Sequence, residues 1–127
     1  MSITNILSIA AGSALGGVLR YLISRAIQLN ASSAFPWGTL AVNLTGCLIL
    51  GILYGLIDRN FHLHEGLKLF LTVGFCGGFT TLSTFIGEGF NLTYVSHDPW
   101  MSLIYIVATV VVGILLLMGG FYATHLI

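Results

Sequence analysis

The chain has 127 residues, 57% of them hydrophobic and 6% charged, with four Lys and Arg balanced by four Asp and Glu. A soluble domain this small cannot hide so much apolar surface, and an average soluble domain is about 25% charged. The composition reads as an integral membrane protein, and zero net charge offers no basic patch to nucleic acid.

The first predicted span runs from about Ile3 to Ile27. It lacks a basic n-region and a small-residue cleavage pattern, so it reads as a retained helix and not a removable signal peptide. Ser8, Gly12 and Gly16 make one small-residue stripe, with Gly17 beside it. Such stripes let helix backbones approach closely where lipid supplies no hydrophobic drive between helices. Arg20 lies near the span end and Arg25 follows. Arg20 either snorkels to the headgroups or holds a positive charge at a water-filled mouth.

A polar connection, Gln28 to Phe35, ends at Pro36-Trp37, a pair suited to a helix start at the membrane interface. The second span covers about Gly38 to Ile57. Thr39 and Asn43 are one turn apart on a shared face, and Gly51 and Gly55 form another close-contact pair. An amide in hydrocarbon needs partners, so Asn43 either bonds across helices or lines a pathway.

After the polar turn from Asp58-Arg59 to Glu65, Lys68 marks the third span, which runs to about Val95. Its middle, Gly74 to Phe85, reads like a loop. Gly77-Gly78 is a poor continuation of a helix, and the hydroxyls of Thr80, Thr81, Ser83 and Thr84 follow it. Broken backbone at membrane depth survives only where protein buries it or it lines a wet cavity. The break is therefore expected at Gly77-Gly78, as an ion-related site. Glu88 lies about one turn beyond, where a carboxylate needs water or a partner.

The fourth span covers about Met101 to Thr124, anchored by Trp100. Ser102, Tyr105, Thr109 and Gly113 fall on one face of it among Ile, Val, Leu and Ala, so that face is expected to meet another helix or an ion path. Cys47 and Cys76 sit inside apolar runs and read as packed small hydrophobes, while the four histidines lie in connections or at the tail. Four spans use nearly the whole chain, giving one all-α membrane domain over 1–127. The Lys/Arg asymmetry between its two sides is close to nil, which permits insertion both ways and an antiparallel, dual-topology homodimer.

No enzyme constellation appears. Ser83 and the threonines have no histidine on a matching face, and Glu88 has no second carboxylate nearby in sequence. What remains is a set of neutral donors in lipid: the Asn43 amide, hydroxyls on the third and fourth spans, and phenylalanine ring edges. Such donors replace water around a small anion without trapping it.

Gly38-Thr39-Leu40-x-Val42-Asn43, followed by Gly74-Phe75-Cys76-Gly77-Gly78-Phe79-Thr80-Thr81-x-Ser83-Thr84-Phe85, resembles the CrcB/Fluc family of fluoride channels. The Gly16-x-x-x-Arg20 segment and the four-span length agree with it. The resemblance implies a passive channel in a bacterial inner membrane that lets fluoride leave the cytoplasm and so lowers its toxicity. It implies two antiparallel copies with a structural sodium ion at their centre, held by the carbonyls of Gly77 and Thr80. It places Asn43, Phe85, Tyr105, Thr109, Ser83 and Thr84 on the fluoride path, and leaves Arg20, Thr39 and Glu88 to vestibule or structural roles. The chain departs from the family at Leu82, where the first box phenylalanine usually stands, and at Gly113, where the polar track usually continues with serine. A small multidrug-type carrier is the main competing class, but it requires an acid in the first span, which has none. The remaining alternative is a non-transporting subunit that only docks partners.

Overall fold

Side-chain caps start three of the helices. Ser2 caps the first, its Oγ accepting from the Asn5 N–H at 3.2 Å. His64 Nδ1 accepts from the Gly66 N–H at 3.1 Å, and Asp98 Oδ1 accepts from the Met101 N–H at 3.0 Å just ahead of Pro99. The resulting order, in a computed structural model describing residues 1–127, is α1 (Ile3–Ala31), α2 (Trp37–Asp58), α3 (Glu65–Leu69), a π-helical stretch (Phe70–Cys76), α4 (Gly77–Phe79), α5 (Ser83–Tyr94) and α6 (Pro99–His125). α3 through α5 make one interrupted span, so four helical segments are long and apolar enough to cross a bilayer. The shortest, α2, has 22 residues, or about 33 Å at the α-helical rise, against a hydrocarbon core of about 30 Å.

α1 continues four residues past its expected end. Its last turn is polar, and those side chains bond back onto the chain: Asn30 Nδ2 donates to the Ala26 carbonyl at 2.8 Å, and Gln28 Nε2 donates to the carbonyls of Ser33 and Phe35. The only positive-φ residues are Ser32, Asn60 and His97, all in connections, and no glycine has a positive φ. The 16 glycines therefore serve the helices and not the turns.

Only 23 of the 127 residues are buried, and apart from Val42, Cys76, Phe79, Phe85, Leu92 and Tyr105 they are glycines, hydroxyl residues, Asn43 and one proline. The Ile, Leu and Val side chains point outward in large numbers, the inverse of a soluble core and the pattern that lipid solvates. The small-residue stripe of α1 meets the first half of the third span. A Cβ at Gly12 would strike the Phe70 carbonyl oxygen, and one at Gly16 the Phe75 carbonyl oxygen. α2 and α6 pack in the same way: Gly51 lies against the Leu117 backbone, Gly55 against Phe121 and Thr124, and Gly120 against Leu48 and Ile52. α5, by contrast, packs mainly on α6. The third span therefore changes neighbours partway along, from α1 to α6, and the interruption is where it does so.

That interruption is not at the glycine pair. Gly77 is helical (φ −64, ψ −37), and the chain first leaves the helix at Thr80 (φ −89, ψ 158), returning at Ser83. Packing accounts for the shift: a side chain at Gly78 would run into the Ser13 backbone of α1, so that glycine preserves a close helix contact. The helix opens just beyond this pair, once α1 no longer supports it.

Candidate functional site

The break is held by one side chain. Asn43 Oδ1 accepts from the Thr81 N–H at 2.8 Å, and Asn43 Nδ2 donates to the Thr81 carbonyl at 3.0 Å. Thr81 is thereby satisfied by an amide where helical neighbours would otherwise serve it. Asn43 is 8% exposed, and its second Nδ2 hydrogen has no acceptor within the chain. The Thr81 N–H would go to the Gly77 carbonyl if the helix continued. Because Asn43 takes it, the Gly77 carbonyl receives no donor, and neither does the Thr80 carbonyl in its extended segment.

Below the break lies a cavity of about 550 Å³ whose walls include Asn43, Cys47, Leu82, Phe85, Thr109 and Gly113, with Gly77 and Thr80 also reaching it. Phe85 is buried and rests on the Tyr105 ring, with centroids 5.1 Å apart. Leu82 is exposed at the rim. Thr109 donates its hydroxyl to the Tyr105 carbonyl at 2.7 Å, so its oxygen lone pairs, and not its proton, are free in this state. Its hydroxyl becomes a donor to the cavity only by rotating away from that carbonyl.

One turn along α2 from Asn43, Thr39 faces a second cavity of about 420 Å³, whose polar walls include Arg25, Gln28, Glu88, Asn91 and Ser96. The Thr39 hydroxyl donates to Glu88 Oε1 at 2.6 Å, and the Tyr105 hydroxyl donates to Glu88 Oε2 at 3.4 Å. Tyr105 is fully buried and touches both sides: its ring backs Phe85 of the first cavity and its hydroxyl reaches the carboxylate of the second. Trp37, Phe35, Tyr105 and Phe85 form a continuous aromatic chain from the α1–α2 connection to the break. Ser102, on the same face of α6, donates to the Gly89 carbonyl at 2.8 Å and ties α6 to α5.

The structure thus brings Asn43, Phe85 and Thr109 to one cavity, and Thr39, Glu88 and Tyr105 to one hydrogen-bonded cluster. Arg20 joins neither; its Nε donates to the Gly78 carbonyl at 3.2 Å and braces the helix end before the break. Ser83 and Thr84 point outward from the chain, and their hydroxyls have no partner within it. Thr81 was legible only as one hydroxyl among four, yet its backbone is what Asn43 grips. Arg25, Gln28 and Asn91 carry no sequence signal beyond being polar, and only the fold gathers them.

Comparison with known proteins adds identity to this geometry. A family model described as CrcB-like protein, Camphor Resistance (CrcB), matches residues 7–121. A protein of Phocaeicola vulgatus named fluoride-specific ion channel FluC is 42% identical over 121 residues, covering 95% of this chain and 98% of that relative. One from Nitrobacter winogradskyi with the same name is 39% identical over 127 residues, covering both chains completely. One from Chloroflexus aurantiacus, again of that name, is 43% identical over 117 residues, covering 91% of each. A family match across nearly the whole chain and relatives of the same length agree with a four-span fold whose broken third helix is gripped by a buried asparagine: the chain belongs to the CrcB family.

Proposed function

We propose that this protein is a fluoride-selective passive channel, formed by two antiparallel copies, through which fluoride leaves the cytoplasm down its gradient. The observation that carries the reading is Asn43, nine-tenths buried, with an uncommitted N–H beside a cavity that also holds Thr109 and Phe85. A neutral amide hydrogen stabilises a small anion in a low-dielectric passage without binding it permanently. The names of the relatives supply the choice of fluoride among anions.

The second copy is supported by groups that one chain leaves unmet. Ser83 and Thr84 present unpartnered hydroxyls outward on the third span, and a Cβ added at Gly77 would meet open space, with nothing within 4 Å. Polar groups turned toward lipid are costly, and a partner's surface would satisfy them. The balance of Arg59 and Lys68 on one side against Arg20 and Arg25 on the other imposes no single orientation.

The freed carbonyls of Gly77 and Thr80 fit a hard cation such as sodium, which takes oxygen ligands. One chain supplies two such oxygens, too few for a closed shell, and a two-fold axis beside Gly77 would supply four. A sodium ion there would lend positive charge to the centre and stiffen the break. The chain's own part is to keep both carbonyls open: Asn43 takes the Thr81 N–H from the Gly77 carbonyl, and the Thr81 hydroxyl oxygen takes the Thr84 N–H from the Thr80 carbonyl.

Liposomes containing only the purified protein test the proposal. Rapid fluoride efflux with chloride retained is the expected result; equal loss of both anions, or loss of neither from a folded dimer, would defeat it. Replacing sodium with a bulky organic cation is expected to lower the melting temperature of the dimer, since a ligand that binds only the folded form stabilises it by mass action.

A further inference from the structure

The position above Gly113 is filled from across the helix interface. A Cβ on Gly113 would lie 3.3 Å from Cys47 Sγ and 3.9 Å from Leu44 Cδ2. Cys47 stands one turn beyond Asn43 on the same face of α2, and both line the cavity that Thr109 and Gly113 line from α6. Cys47 is not in a disulfide, is only partly buried, and makes no hydrogen bond of its own. The cavity next to it already holds the unpartnered N–H of Asn43, itself nine-tenths buried.

We propose that the Cys47 thiol supplies the lining donor that the side chain of residue 113 lacks, and that it makes this passage sensitive to small thiol-seeking ligands. The inference rests on the channel reading. A neutral thiol is a weak donor and a polarisable surface, so it takes the place of a hydroxyl in an anion path less effectively but in the same position. Gly113 then needs no hydroxyl, because a side chain at 113 and the thiol at 47 compete for one space. Cys76 also borders the cavity but is 3% exposed, so it offers an internal comparison.

The full-length protein in liposomes decides the matter with two readouts. The first is fluoride efflux. Cys47→Ala is expected to lose about three-fold or more of the parental rate, the effect of one weak donor, and adding Gly113→Ser to it is expected to restore the rate. A purely packing role for Cys47 would be rescued equally by Gly113→Ala, which refills the same space without a hydroxyl; equal restoration by alanine and serine would overturn the donor role. The second is modification by a water-soluble, membrane-impermeant methanethiosulfonate. The thiolate attacks the reagent's sulfenyl sulfur, a mixed disulfide forms, methanesulfinate leaves, and the thiol proton goes to water.

Mass spectrometry is expected to find the adduct on Cys47 and not on Cys76, with fluoride efflux reduced at least about ten-fold once labelling is complete, because the adduct fills the passage. Unchanged flux with Cys47 labelled, no label on Cys47, or parental flux in Cys47→Ala would each overturn the proposal. If the parent passes no fluoride, the channel reading fails separately, while labelling still shows whether the Cys47 thiol faces water.

Discussion

Asn43 replaces a missing turn of helix for Thr81, accepting its N–H at 2.8 Å and donating to its carbonyl at 3.0 Å. A residue from the second span thereby completes the backbone of the third. Asn43→Leu keeps the volume and strands both groups at membrane depth. Each buried group left unpaired costs about 1–3 kcal/mol, so the purified protein is expected to lose roughly twice that in unfolding free energy and to conduct no fluoride. Thermal unfolding in detergent, followed by an efflux assay on any folded fraction, checks both. A wild-type melting curve would show that the break holds itself.

Thr39 and Tyr105 both donate to Glu88, but not equally. The Thr39 contact, at 2.6 Å, is short, whereas that of Tyr105, at 3.4 Å, is near the limit of a hydrogen bond. Thr39→Val is therefore expected to destabilise by about 1.5–3 kcal/mol, the range for bonds to a charged group, and Tyr105→Phe by about 1 kcal/mol or less. Denaturation of the two variants side by side measures the order. The reverse order would mean that Tyr105 carries the carboxylate.

The glycines divide into those that touch backbone and those that touch nothing. Gly16→Ala places a methyl group on the Phe75 carbonyl, which cannot rotate away, and is expected to cost about 1–3 kcal/mol through overpacking. Gly119→Ala meets nothing within 4 Å and is expected to be neutral or stabilising by up to about 1 kcal/mol through helix propensity. Gly77→Ala is also free within one chain. If a second copy covers that face, the variant is expected to keep its helical content while its dimer dissociates at a higher protein concentration than the parent's. Circular dichroism with light scattering distinguishes these outcomes.

Leu82 stands exposed at the rim of the cavity that Phe85 lines. An aromatic ring there would add a positively polarised edge facing an anion, and we take for it the ~0.5–1.5 kcal/mol that the same quadrupole gives an aromatic pair. Leu82→Phe is expected to raise fluoride efflux by about two- to ten-fold, with each 1.36 kcal/mol worth ten-fold in rate. Equal rates in parent and variant would show that position 82 does not limit permeation.

Much of this was legible in the sequence because a membrane span is written in local terms. Length, apolar composition, small residues every four positions and a polar line along the last span determined four helices, which faces of α1, α2 and α6 pack closely, and that Asn43 needs a partner. Glu88 announced itself in the same way, as a carboxylate too costly to stand alone. The position of the break was different. Glycine propensity pointed to Gly77-Gly78, but the backbone of α1 lies against Gly78 and keeps that turn helical, while the amide of Asn43 draws Thr81 out three residues later. Cys47 over Gly113 and Arg20 on the Gly78 carbonyl are likewise invisible along the chain. The sequence by itself determined which residues could not be left unpartnered in lipid. Only the tertiary structure decided their partners, because hydrogen bonds and close contacts between helices depend on which turns the packing sets side by side.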